Sequence, residues 1–216
     1  MSISENLNLI KSELGEDVSL VAVSKTKPNE LILEAYKAGQ RIFGENKAQE
    51  MQSKAEALPK DIEWHFIGHL QRNKVKYIVP HVSLIHSVDS MRLLQEINKR
   101  AASNGRVINV LLQVYIAKEE SKFGLDEEEL NDLLNSDELK ASQNIKVLGL
   151  MAMATNTDDK ETVRREFNYL KNLYEQLKDQ HQLQILSMGM SNDYEIAVEC
   201  GSNMVRIGSR IFGARN

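Results

Sequence analysis

Eight short apolar runs alternate with longer helix-period stretches along the whole chain, and this alternation restricts the fold more than any other feature. The runs fall at residues 18–23, 41–43, 63–67, 83–87, 107–115, 146–151, 184–187 and 204–207. Most are nearly continuous, as in Val107-Ile108-Asn109-Val110-Leu111-Leu112. A strand that is apolar on both faces has to be covered on both faces, which is the habit of parallel sheets. The stretches between the runs carry apolar stripes. Val163, Phe167, Leu170, Tyr174 and Leu177 share one helical face, as do Leu93, Ile97 and Ala101. Pro28 is placed to open the first of these helices, where its missing N–H costs little. Gly39 and Gly105 are placed to close the first and the fourth. An additional helix is predicted over 4–14, ahead of the first strand.

Strand–helix alternation has two main solutions, an open doubly wound sheet and a closed (β/α)8 barrel. An open sheet that binds a dinucleotide would want G-x-G-x-x-G after a strand, and the sequence has none. Eight strands are the barrel's number, and 216 residues lie within its range. The prediction is an α/β fold: a single (β/α)8 TIM barrel spanning residues 1–216, with an additional N-terminal helix. No shift in composition marks a domain boundary.

Composition removes several classes of function. With 27 Lys and Arg against 31 Asp and Glu, the formal charge is -4 and gives no basic footprint for nucleic acid. No apolar run approaches the ~20 residues of a membrane span. The start, Met1-Ser2-Ile3-Ser4-Glu5, has neither the basic nor the apolar region of a secretory signal. One cysteine, Cys200, cannot form an internal disulfide. The expectation is a soluble protein of the reducing cytoplasm.

In such barrels the chemistry sits at the C-terminal ends of the strands. Lys25 shares strand parity with Val21 and Val23, so if those point inward, Lys25 points inward at the mouth. A lysine among apolar groups loses support for its charged form, and the free amine then becomes available for a Schiff base. The plainer alternative is a rim lysine that snorkels to solvent. Lys27 has the same parity but lies past the strand, and it reads as surface. Ser191 and Gly208-Ser209 end strands seven and eight, the usual phosphate site of this fold, although Gly and Ser also populate ordinary turns. Arg206 is an expensive residue with which to end a buried strand unless a ligand or a carboxylate pairs it. An amine, a phosphate cradle and an arginine suggest a phosphorylated aldehyde. Pyridoxal phosphate fits, and so does the substrate of a phosphosugar Schiff-base aldolase.

Several segments are then recognisable together. They are Val21-Ala22-Val23-Ser24-Lys25-Thr26-Lys27-Pro28, Phe43-Gly44-Glu45-Asn46, Trp64-His65-Phe66-Ile67-Gly68-His69, Glu120-Ser121-Lys122-Phe123-Gly124, Gly189-Met190-Ser191-Asn192-Asp193 and Val205-Arg206-Ile207-Gly208-Ser209. In unbroken order they resemble the YggS/PROSC family of pyridoxal phosphate homeostasis proteins. The resemblance implies an alanine-racemase-like, fold-type III barrel that holds pyridoxal 5'-phosphate (PLP) as an internal aldimine on Lys25. It implies that Ser191, Gly208 and Ser209 take the phosphate. It also implies Arg206 at the pyridine nitrogen and Asn46 beside the ring. His69 departs from the family's usual smaller residue or proline.

The role the resemblance implies is cofactor homeostasis without an established reaction. An arginine at the pyridine nitrogen makes the ring a weaker electron sink than a carboxylate would. Racemisation, the alternative reading together with other weak PLP-dependent chemistry, needs two bases on opposite faces of the ring. Lys25 supplies one. In racemases of this fold the other comes from an additional β-domain, for which these 216 residues leave no segment. Tyr115, Lys122 and Tyr194 are the internal candidates for a second acid, with Lys122 read as an accessory in cofactor handling. Met151 and Met153 end strand six as candidates to line the pocket, although a Met at a strand end is more often packing. His65 and His69 span a strand end and a loop, and with His81, His86 and His181 scattered no metal site is expected. Expected partners are PLP itself and PLP-dependent apoenzymes or amino acids, with neither nucleic acid nor membrane, and the default assembly is a monomer.

Overall fold

The computed structural model describes residues 2–117 and 123–213. The elements follow in the order α1 (Ile3–Leu14), β1 (Ser19–Val23), α2 (Asn29–Lys37), β2 (Ile42–Glu45), α3 (Ala48–Ala57) and β3 (Glu63–Phe66). Next come α4 (Val75–Ile78), β4 (Val82–Val88), α5 (Met91–Ser103), β5 (Ile108–Gln113), α6 (Glu127–Asn135) and α7 (Asp137–Lys140). The last are β6 (Ile145–Met151), α8 (Lys160–His181), β7 (Ile185–Ser187), α9 (Tyr194–Glu199), β8 (Met204–Ile207) and α10 (Ser209–Phe212). Every strand runs parallel to its neighbours, and β8 pairs with β1 to close the barrel.

Each of the eight apolar runs becomes one strand, and the additional N-terminal helix is present. Ser2 and Glu5 start that helix with a reciprocal capping box, which satisfies two otherwise orphaned N–H groups. The fifth strand stops at Gln113, two residues short of the apolar run. There the chain turns to pair with a returning segment: Leu125 N donates to Gln113 O and Tyr115 N to Leu125 O, each at 2.8 Å.

Register sorts the strand residues into two layers. Ala22, Phe43 and Trp64 lie side by side and pack outward against the helices, in the large cluster that also holds Leu94, Ile97, Phe167 and Leu170. Burial of each leucine, isoleucine or phenylalanine in that cluster is worth about 1.5–3 kcal/mol. The alternate positions face the barrel interior, where Val21, Leu84, Leu111, Met151 and Met204 form a separate small cluster. Above that apolar layer the inward positions become polar. His65 pairs in register with Gly44 and Leu84, Ser187 with Met151 and Met204, and Arg206 with Val21.

Candidate functional site

Lys25, Asn46, Ser191, Arg206, Gly208 and Ser209 line one cavity of ≈ 590 Å³ at the C-terminal ends of the strands. These are the six residues that the sequence singles out for the cofactor, and four different strands bring them together. A more open hollow of ≈ 580 Å³ at the other end of the barrel is lined by Lys11, Gly15, Gln40 and Glu63 and by none of the six.

Lys25 sits on a turn gripped from outside the barrel. Ser24, the residue just after β1, faces outward and is fully buried. Its hydroxyl donates to Glu45 Oε1 at 2.6 Å, and its carbonyl accepts from Lys54 Nζ at 2.9 Å. Lys54 also donates to Glu45 Oε1 and Glu50 Oε1, both at 2.7 Å. Glu50 Oε1 accepts the N–H of Thr26 at 2.6 Å, while Thr26 holds a left-handed φ of 64°. Such a φ is uncommon for a residue with a Cβ and persists only where its surroundings impose it. Burial pushes the Glu45 carboxyl above its ordinary range, opposed by the charge and hydrogen bond of Lys54. Its Oε2 is buried without a partner.

Arg206 is buried, and its hydrogen bonds go to neutral acceptors. One terminal nitrogen donates to Ser187 O at 2.9 Å and Ser187 Oγ at 2.6 Å, and the other donates to Ala152 O at 3.0 Å. Burial lowers its pKa to about 10, with Asp193 pulling the other way. Ser187 Oγ lies 3.2 Å from His86 Nδ1, and His86 Nε2 lies 3.0 Å from His65 Nδ1. Burial pulls the His65 ring down to about 3 and the His86 ring well below the ordinary histidine range. Both rings are therefore neutral near pH 7.

The other wall comes from the loops after β7 and β8. Gly208 N donates to Ser191 Oγ at 3.2 Å, and Asp193 Oδ1 accepts from Met190 N at 2.5 Å. Ser209 and Arg210 open α10, so their N–H groups have no acceptor within that helix. Gly189 has a φ of 92°, and a Cβ there would lie 2.6 Å from the Cβ of Ala197, so only glycine permits this turn. Asn46 lines the cavity with Oδ1 buried and unpartnered. Gly68 packs so closely behind it that a Cβ would meet Asn46 O at 2.4 Å. On the rim, His69 stacks on Phe123 with ring centroids 3.9 Å apart.

Other sequence expectations fall elsewhere. Met151 does not line the cavity. It is buried in the inner apolar cluster, and Met153, one step further up the same inward row, lines the cavity instead. Lys27 is a cavity residue, not plain surface: its N–H bonds back to Ser24 O at 3.0 Å across the left-handed turn, and its Nζ donates to Phe212 O at 3.2 Å. The Tyr194 hydroxyl is bonded to Glu13 and Arg210, away from the cavity. Tyr115 is half-buried and outside the lining. Lys122 lies outside the described residues. Among the described residues, no three or more His, Cys, Asp or Glu side chains gather as a metal site would require, and no helix is long and apolar enough to cross a membrane.

Sequence reading missed the Lys54–Glu45–Glu50 cluster and the roles of His65, His86 and Ser187. A signal existed for the histidines. His86 interrupts the apolar run Leu84-Ile85-His86-Ser87-Val88, and a buried polar ring requires partners.

The family described as alanine racemase, N-terminal domain, matches residues 1–216. A protein of Aquifex aeolicus named pyridoxal phosphate homeostasis protein is 45% identical over 199 residues, covering 91% of this chain and 86% of its own. Two solved structures of PipY from Synechococcus elongatus are each 37% identical and are covered over 98% of this chain and 100% of theirs. The one without PLP superposes with a TM-score of 0.93, and the one with PLP bound with 0.90.

Proposed function

The chain belongs to the family of pyridoxal phosphate homeostasis proteins, built on the alanine racemase N-terminal domain, and from that membership we propose that it binds pyridoxal 5'-phosphate in the cavity at the mouth of its barrel. There it holds the cofactor covalently through Lys25 and so regulates cofactor supply. One observation carries the reading: an inward lysine, a buried arginine and the Ser191/Gly208/Ser209 loops line a single cavity.

The residues fit the group. Asn46 Oδ1 is a buried acceptor in need of a donor, as a ring hydroxyl would be. Arg206 is a buried cation bound by neutral acceptors and suits an electron-rich ring nitrogen. Ser191, with the N–H and hydroxyl of Ser209, offers donors to a phosphate, as loops after strands seven and eight do in this fold. When bound, the cofactor supplies an aldehyde that condenses with amines and a ring that can draw electrons from them.

The chain's own residues favour holding over turnover. Arg206 donates toward the ring nitrogen and brings it no proton, which keeps the ring a weak electron sink. Neither tyrosine weighed as a second acid lines the cavity. In this reading the chain works as one barrel domain and as a monomer in the cytoplasm. It gives its cofactor to apoenzymes that need it and admits amino acids at the same mouth.

The test is loading of the stripped protein. After incubation with PLP and gel filtration, a visible absorbance band should elute with the protein at about one equivalent, while alanine incubated with it keeps its configuration. A protein that stays colourless contradicts the reading and favours a phosphosugar Schiff-base aldolase.

A further inference from the structure

Arg206, Ser187, His86 and His65 form a continuous line of hydrogen bonds across the barrel interior, beneath the cavity. All four side chains are buried, and they come from β8, β7, β4 and β3. The direction of every bond in the line follows from its first member. A guanidinium only donates, so Ser187 Oγ accepts from Arg206 and its own proton is left to point elsewhere. The acceptor within reach is His86 Nδ1, and taking that proton requires it to be bare. A neutral imidazole with a bare Nδ1 carries its proton on Nε2. That proton lies toward His65 Nδ1, which must be bare in turn, so His65 carries its proton on Nε2. One cation thus fixes two tautomers in rings more than 100 residues away in sequence from Arg206 (206 against 86 and 65).

We propose that Ser187 and His86 are positioning residues for Arg206, passing a one-way hydrogen-bond chain to His65 that fixes the guanidinium, charged and oriented, at the floor of the cavity. Among the described residues no carboxylate lies within ion-pair distance of Arg206, so its orientation depends on these neutral acceptors and on Ala152 O. Neutral acceptors satisfy its hydrogen bonds, and the one carboxylate that acts on its charge, Asp193, does so from beyond ion-pair distance. The charge is then available to the ligand, where a carboxylate would have consumed it. A ring whose Nδ1 carried the proton would present a donor to Ser187 and reverse the line. Ser187 would then face two donors, and its own proton would have no acceptor in the chain. The role in cofactor binding rests on the function proposed above, whereas the direction of the chain does not.

Two measurements separate these claims. Long-range proton–nitrogen NMR on the stripped, unmodified protein reads the tautomers directly. His86 and His65 should both be neutral near pH 7 with protons on Nε2, and a proton on Nδ1 of His86 overturns the chain. The second is cofactor binding and the pH profile of the bound chromophore in His86→Leu and His86→Gln. Leucine removes the acceptor for Ser187, and binding should weaken roughly tenfold as a hydrogen bond to a charged group is loosened, with the spectral midpoint displaced. Glutamine offers an acceptor and a donor on one side chain and should restore both properties. A His86→Leu protein with parental affinity and midpoint overturns the positioning role. A parent protein that takes up no PLP contradicts the function instead, and the tautomers still decide the chain.

Discussion

Lys54 reaches from α3 to the carbonyl oxygen of Ser24, 2.9 Å away, so the residue before Lys25 is held by a cation from the following βα unit. The residue after Lys25 is held by the same cluster, because Glu50 binds both Lys54 and the N–H of Thr26. The cluster's other carboxylate, Glu45, is fully buried and bonded to both Ser24 and Lys54. The reactive lysine of the proposed site therefore sits between two clamped neighbours, and the clamp is built on the outer side of the barrel.

Lys54→Met should be strongly destabilising, because it leaves Glu45 buried without its cation; breaking such a pair costs about 3–5 kcal/mol. The loss should depend on pH. Burial already raises the Glu45 pKa above its ordinary 4.5, and removing Lys54 removes the largest of the influences that lower it. A carboxyl whose folded pKa is raised supports the fold below the unfolded value and loses that support as pH rises through the folded value. The gap between parent and variant should thus widen from pH 4.5 upward. Urea unfolding at pH 4.5 and pH 8 measures it, and equal gaps would show that Glu45 is not the source.

The two buried histidines predict the opposite slope. Their folded pKa values lie below the unfolded 6.5, with His65 at about 3. The unfolded chain therefore binds protons first, and stability is lost as pH falls below 6.5. Each ring contributes up to about 1.4 kcal/mol per pH unit in that window. Paired unfolding curves of the parent and of the double variant His65→Gln/His86→Gln check this. The variant should lose stability less steeply between pH 6.5 and 5, and a parent with no steeper slope contradicts the assignment.

Ser191→Ala should act on the cofactor more than on the fold. Its Oγ accepts one backbone N–H, from Gly208, at the partly exposed edge of the cavity. Loss of one hydrogen bond at the phosphate should cost about 1 kcal/mol, or roughly fivefold in the Kd for PLP. Equilibrium dialysis measures that change, and unaltered binding would move the phosphate away from this loop.

Much of the architecture was legible because strands buried on both faces are written as continuous apolar runs. The mouth residues were legible because this fold restricts chemistry to one end of each strand. Parity put Lys25 at the mouth and the cost of a buried charge marked Arg206, and both line the cavity, but parity does not say how high in the barrel a residue sits. That is why parity cannot separate Met151, which packs in the inner apolar cluster, from Met153, which lines the cavity. Position past the strand end misleads at Lys27, because the left-handed turn at Thr26 returns it to the cavity edge. The histidine line and the lysine clamp were not legible, because their partners are distant in sequence. Ser187 and His86 are separated by 101 positions, and Lys54 and Ser24 by 30.

The central claim is that Lys25, and no other lysine, carries the cofactor. Borohydride reduction of the PLP-loaded protein, followed by peptide mapping, tests it most directly. The reduced cofactor should be found on the peptide that contains Lys25, and Lys25→Ala should bind PLP more weakly and without the visible band. Cofactor fixed on a different lysine, or a Lys25→Ala protein that keeps the band, would contradict the account.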